Sequence, residues 1–236
     1  KSMKFLLNVG AEKAGTTWLY DYFRNHPEFY DMGKELNIIQ RDDLVPILED
    51  VDEYRKDIES FFRTVSSVNQ VTGDFTHYEG SSENVFRLVK NGLLKYDIEV
   101  VPVYIMRDPI RRAWSAWNSL GGGKISTKST ASQFVMTNFM SCKYRETIEA
   151  LDNVFANPLY FFYEDFFTQD NINKICDELQ ISHLPAECDI KINASPYKKI
   201  PDAFLKTFGK SSKNVTAVKY IFERFENVPW KLEDYS

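Results

Sequence analysis

The sequence predicts an α/β fold, a three-layer sandwich in which helices cover both faces of a mainly parallel sheet. Short apolar runs alternate with amphipathic stretches of helical length along most of the chain, which is the pattern of successive βα units. The run EVVPVYIM, ending at Met106, is apolar almost throughout, as a strand buried on both faces must be. Two apolar runs end in turns of unusual composition, a loop bounded by Gly10 and Gly15 and the triplet Arg107-Asp108-Pro109. Each opens directly into a helical pattern.

Taken in order, Phe5-Leu6-Leu7-Asn8-Val9 is a strand stopped by Gly10, and the segment TTWLYDYFRNHP from Thr16 is a helix ended by Pro27. Two helical pieces are expected between Glu35 and Thr64, LNIIQ and DEYRKDIESFFRT, separated by the turn-prone DDLVP. QVTGDF is a short strand, and SSENVFRLVKNGLLKY is an amphipathic helix with serine at its start. Pro109 suits the first turn of a helix running to about Leu120. Gly121-Gly122-Gly123-Lys124 and the ISTKSTAS after it form the most loop-like segment, a candidate lid. A helix from about Ser132 to Leu151, a strand LYFFY, a helix from Glu164 to Leu179 and a C-terminal helical stretch complete the chain, which contains no internal repeat.

With 236 residues, 43% of them hydrophobic, the chain can bury one sizeable core, so a single domain over 3–236 is expected. Lys1 and Ser2 resemble a cloning remnant ahead of Met3. A formal net charge of -5 argues against a surface built for nucleic acid, although a local basic pocket is compatible with it. Cys142, Cys176 and Cys188 include no CxxC pair and no histidine at ligand spacing, so they read as reduced thiols without a metal. No run approaches the ~20 apolar residues of a membrane span, and the first strand begins too early to leave room for a signal peptide. The expectation is a soluble, cytoplasmic protein without a membrane partner.

The stretch Gly10-Ala11-Glu12-Lys13-Ala14-Gly15-Thr16-Thr17 follows a strand and opens a helix, which makes it a natural anion site. A nucleoside triphosphatase would place lysine directly after the second glycine, in GxxxxGK[ST], to reach the β and γ phosphates. Thr16 stands there instead, and the lysine lies inside the loop as Lys13. That position suits a donor with one phosphate and one transferable group.

These residues resemble a known family. GAEKAGTTWL is similar to the 5′-phosphosulfate loop of sulfotransferases that use 3′-phosphoadenosine 5′-phosphosulfate (PAPS), typically GxxKxGTTxL. The resemblance implies the P-loop-like sulfotransferase fold, closest in motif style to enzymes acting on glycans and to bacterial members. It implies that Lys13 contacts the bridging oxygen, that Gly15, Thr16 and Thr17 hold the 5′-phosphate, and that Gly10 and Ala14 belong to the same donor-binding loop. Trp18 matches a tryptophan that stacks on adenine, and otherwise reads as core. Arg107-Asp108-Pro109 with Arg111, Arg112 and Ser115 resembles the family's 3′-phosphate signature, RDPxxRxxS. Its arginine offers a fixed fork to a dianion and its serine a neutral hydrogen bond. Arg111 and Arg112 are equally readable as surface ion pairs. The resemblance continues in Gly73-Asp74-Phe75-Thr76 and Tyr163-Glu164-Asp165, and it implies donor PAPS and no metal.

In-line sulfuryl transfer needs a base for the acceptor's proton and positive charge at the leaving phosphate. Lys13 supplies the charge. Lys34-Glu35-Leu36-Asn37-Ile38-Ile39 resembles the segment in which glycan sulfotransferases carry a glutamate base, so Glu35 is the first candidate; it also reads as a solvated carboxylate at a helix start. His77 is the second, because its ordinary pKa near neutrality suits the task. Asp74 is a lesser candidate for binding acceptor, and NASPYKKIP, with Asn193, Ser195, Lys198 and Lys199, reads as a basic segment near the nucleotide or a solvated loop. A carbohydrate hydroxyl or amine is favoured as acceptor, with a phenol or other small molecule as the alternative. A noncatalytic module that binds the nucleotide is the rival of another class, and the oligomeric state is left open.

Overall fold

Five parallel strands in the order β2-β3-β1-β4-β5 form the sheet of the computed structural model, which describes residues 2–37, 39, 51–119, 142–189 and 199–235. The strands are β1 (Met3–Gly10), β2 (Phe29–Tyr30), β3 (Val71–Asp74), β4 (Ile98–Met106) and β5 (Leu159–Phe162). β1 and β4 lie at the centre, and Phe5, Leu6, Leu7, Val103, Tyr104, Ile105 and Met106 have no exposed surface. Their unbroken apolar sequence is what covering on both faces demands. Leu6 pairs with Gly73, where a Cβ would lie 2.5 Å from the Leu6 carbonyl oxygen, so only glycine fits this close approach.

The helices are α1 (Thr16–Arg24), α2 (Val51–Ser67), α3 (Glu83–Leu94), α4 (Pro109–Ser119), α5 (Tyr144–Val154), α6 (Tyr163–Phe166), α7 (Gln169–Leu179), α8 (Asp202–Gly209) and α9 (Ser212–Arg224). They flank the sheet in two groups. α2 meets β1 through Phe61, whose ring stands edge-on to Phe5 at 6.1 Å, and α3 lies so close to α2 that a Cβ at Gly92 would strike Phe62. α1 joins α7 through the Tyr22 hydroxyl, 3.8 Å from Cys176 Sγ. The three-layer α/β architecture read from the sequence is the one observed.

Three local expectations need correction or restriction. Leu36 and Asn37 are not helical, because a neighbouring strand end captures their backbone: Asn37 N–H donates to Thr76 Oγ1 at 3.1 Å and Leu36 N–H to the Asp74 carboxylate. The single helix expected from Glu164 to Leu179 is two, since Thr168 caps α7 by accepting from Asn171 N–H at 3.3 Å. β2 was not foreseen; two residues carry too little pattern to announce a strand. The Gly121–Lys124 loop, the first half of the helix expected from Ser132, and Asn193, Ser195 and Lys198 lie outside the described residues. Among the described residues no helix is long and apolar enough to cross a membrane, and no group of three or more His, Cys, Asp or Glu converges as a metal site would. All three cysteines are free thiols.

Candidate active site

The first β-strand delivers its chain to a loop whose conformation depends on residue type. Gly15 sits at φ 84°, and a Cβ there would lie 2.7 Å from Phe167 Cζ. As the residue before α1 it has no side chain with which to cap the helix; its carbonyl accepts from Trp18 N–H at 3.0 Å, and the Thr16 and Thr17 N–H groups ahead of that bond are placed to receive an anion. Lys13 also adopts a left-handed conformation, at φ 64°. Burial lowers its pKa; Glu12 opposes the shift, and Arg107 and Lys34 add to it.

Arg107 stands at the C-terminal end of β4, 94 residues on from Lys13. Its guanidinium donates to the Lys13 carbonyl at 2.7 Å and lies over the Tyr163 ring, 4.1 Å from the centroid. Its Nε is buried without a hydrogen-bond partner, and burial lowers its pKa. Tyr144 fixes the backbone here, accepting from Arg107 N–H at 3.1 Å and donating to Arg107 O at 2.6 Å. Asp108 is buried and turns inward, accepting from Arg111 N–H at 3.0 Å and from the Tyr235 hydroxyl at 2.9 Å. Glu164 accepts from Asp108 N–H at 3.2 Å and from Trp230 Nε1–H at 2.9 Å. The Tyr-Glu-Asp motif after β5 thus supports the arginine of the Arg-Asp-Pro motif after β4.

Arg112 is not a surface ion pair. Its Nη1 donates to Glu79 Oε1 at 2.7 Å and its Nη2 to Glu79 Oε2, and both side chains are about nine-tenths buried. Its Nε donates to the Glu12 carbonyl at 2.9 Å. Arginines from one short segment therefore hold the carbonyls of two consecutive loop residues. Arg111 is exposed and lines the cavity with Ser115.

On the other side of the loop, Lys34 donates to Thr17 Oγ1 at 2.9 Å and pairs with Glu35 Oε1 at 3.3 Å. Glu35 is solvent-accessible rather than sequestered. Its segment is pinned from below, where Phe75 N–H donates to Lys34 O at 3.1 Å beside the Asn37 and Leu36 bonds. Asp74 is 1% exposed, and accepts from Thr76 N–H and Oγ1–H and from the Tyr78 hydroxyl. It is corrected from a candidate acceptor ligand to the anchor of the Glu35 segment. His77 has a buried Nδ1 without a partner, and burial lowers its pKa while Glu12 and Glu35 oppose the shift.

These groups meet in one cavity of about 680 Å³ beyond the C-terminal ends of the strands. It is lined by Lys13, Glu35 and His77 among the expected catalytic residues, and by Gly15, Thr16, Thr17, Trp18, Arg107 and Ser115 among those expected to hold the donor. Gly10 and Ala14 are buried behind the loop and do not line it. Trp18 is 6% exposed, near-parallel to Tyr22 and hydrogen-bonded through Nε1 to the Glu187 carbonyl at 3.2 Å, so little of its ring reaches the space. Sequence reasoning missed Glu12 and Glu79. Glu12 was discoverable as a charged neighbour of Lys13; Glu79 pairs across 33 positions and gives no local signal.

No protein-family model and no curated protein matches the sequence. Among solved structures the chain is similar to a sulfotransferase from Alicyclobacillus acidocaldarius, with TM-score 0.60 and 16% identity over 94% of this chain and 96% of that one. It is also similar to the sulfotransferase domain from the curacin biosynthetic pathway, with TM-score 0.55 and 11% identity over 93% of this chain and 97% of that one. At these identities the likeness is one of fold. The chain has the sulfotransferase fold.

Proposed function

We propose that this chain is a sulfotransferase that moves the sulfuryl group of PAPS to a hydroxyl or amine on a carbohydrate acceptor. The observation that carries the proposal is a single cavity joining two anion-binding elements. One is the Lys13 loop with the open N-terminus of α1; the other is Arg107 with Ser115. The 2.7 Å bond from Arg107 to the Lys13 carbonyl links them.

The residues fit such a donor. The uncapped start of α1 suits the 5′-phosphate, and the unpartnered Arg107 Nε, with its guanidinium seated over the Tyr163 ring, suits a second phosphate. When bound, the donor supplies an activated sulfuryl group on a phosphate leaving group. Lys13 would set positive charge against the charge developing on that phosphate, in a site where burial strengthens electrostatic interactions. Glu35, oriented by Lys34 and accessible from the cavity, would take the acceptor's proton. His77 is the second candidate base, supported by its buried, unpartnered Nδ1.

The test is transfer of label from radiolabelled PAPS into a mixed panel of glycan and phenol acceptors, beside calorimetric titration with adenosine 3′,5′-bisphosphate. Wild type should bind the bisphosphate and label a carbohydrate, and Lys13→Ala should lower transfer by about 10²–10³-fold, as removal of one electrostatic stabiliser does. Absence of bisphosphate binding would sink the proposal. Binding with no transfer to any acceptor would favour a noncatalytic module.

A further inference from the structure

The cavity carries charge of both signs. Lys13, Lys34, Arg107 and Arg111 line it together with the carboxylates of Glu12, Glu35 and Glu164; Glu164 acts on Arg107, whereas Glu12 and Glu35 both act on His77. The Lys34 ammonium is engaged by Glu35 at 3.3 Å and Thr17 at 2.9 Å. Glu12 is the unexplained member. Its carboxylate makes no hydrogen bond or ion pair with any described residue, yet the residue is half-buried and lines the cavity. It is close enough to Lys13 and His77 to raise the proton affinity of both. Its place is not loose, because Arg112 Nε holds its carbonyl at 2.9 Å and Arg112 is itself fixed on Glu79.

A carboxylate beside Lys13 weakens the positive charge that an anionic donor needs, so it does not serve the donor. Glu12 and His77 flank one point of the loop, 3.5 Å (Glu12 N) and 3.8 Å (His77 Nδ1) from a Cβ built at Gly10, and Glu35 acts on the same imidazole, so Glu12 stands beside both candidate bases, where a nucleophile would have to enter. An acceptor bringing its own carboxylate or sulfate would meet two like charges in a partly desolvated space, and like-charge juxtaposition is strongly unfavourable there. An acceptor bringing a hydroxyl or ammonium group would find a charged hydrogen-bond acceptor on a fixed stretch of backbone.

Resting on the donor reading above, we propose that Glu12 is a specificity-determining residue of the acceptor end, which receives a hydroxyl or ammonium group of a neutral or cationic acceptor and turns anionic acceptors away. The probes are 4-nitrophenyl β-D-glucoside and 4-nitrophenyl β-D-glucuronide, which differ by one carboxylate, with the matching 2-amino-2-deoxyglucoside as the cationic member. Wild type should favour the glucoside over the glucuronide by about tenfold or more in kcat/KM. Glu12→Gln should lower that ratio by about threefold or more, Glu35 alone then opposing the glucuronide, and Glu12→Asp should retain it, while Glu12→Gln binds adenosine 3′,5′-bisphosphate at least as tightly as wild type does. A ratio unchanged in Glu12→Gln, a wild-type preference for the glucuronide, or bisphosphate binding with transfer to none of the three glycosides overturns the proposal and leaves the donor reading standing. A wild-type protein that binds no bisphosphate overturns the donor reading and this proposal together.

Discussion

Removing the Glu79 carboxylate tests whether the Lys13 loop is held from below. In Glu79→Ala the Arg112 guanidinium stays buried with two of its N–H groups stripped of their acceptors, at 2.7 Å or closer in the native pair. Breaking a buried pair from one side costs about 3–5 kcal/mol. For a chain of 236 residues, at roughly 2–4 °C per kcal/mol, the melting temperature should fall by about 6–20 °C. Stability alone would not separate a positioning role from a merely structural one. The companion is Glu79→Leu with Arg112→Met, which removes both charges and fills the space with apolar atoms, a replacement that is often neutral or stabilising. This double variant should regain most of the melting temperature in scanning calorimetry. It should nevertheless bind adenosine 3′,5′-bisphosphate about 10–100-fold more weakly, because the Glu12 carbonyl has lost a charged donor worth about 1.5–3 kcal/mol. A double variant with native stability and native bisphosphate affinity would refute the reasoning, since the loop would then hold its shape without Arg112.

Three further outcomes are expected. Glu35→Gln should lower transfer by about 10²–10⁴-fold, the usual contribution of a general base, and leave bisphosphate affinity nearly unchanged; retained activity assigns the proton to His77. Arg107→Lys loses both the seat on Tyr163 and the bond to the Lys13 carbonyl, so its preference for adenosine 3′,5′-bisphosphate over adenosine 5′-phosphate should fall by about tenfold or more in competition titrations. Burial lowers the pKa of His77 in the folded protein, so below about pH 6.5 the unfolded chain takes up more protons at this group and stability falls as the pH falls. His77→Gln should flatten that part of a stability-against-pH curve, and an unchanged slope would place the titration elsewhere.

What could be read from the sequence was local. The Lys13 loop and the Arg107 triplet each sit where a strand meets a helix, so composition and order announce the element and its place at the cavity. Residues 36–37 show how that fails: LNIIQ carries an apolar pattern, but Leu36 and Asn37 donate to Asp74 and Thr76, some forty positions away, and tertiary hydrogen bonds override the period. Arg112 shows the same in chemistry. Its motif placed it on a helix after a strand, but only its position relative to Glu79 decides whether it meets solvent or a buried carboxylate. The break before α7 had a readable signal in Thr168, a good N-cap residue inside an otherwise helical pattern.

The bond from Arg107 to the Lys13 carbonyl has a thermodynamic consequence. One side chain is shared between two half-sites, so occupying either half restrains a group that shapes the other. Ligands that fill both halves then gain a coupling free energy absent from either alone, and substitutions at Arg107 and in the loop are expected to be non-additive in a double-mutant cycle. On the proposed donor reading, discrimination between a bisphosphate and a monophosphate would thereby become a property of the cavity as a cooperative unit, set by how firmly strand β4 and the loop after β1 hold one another.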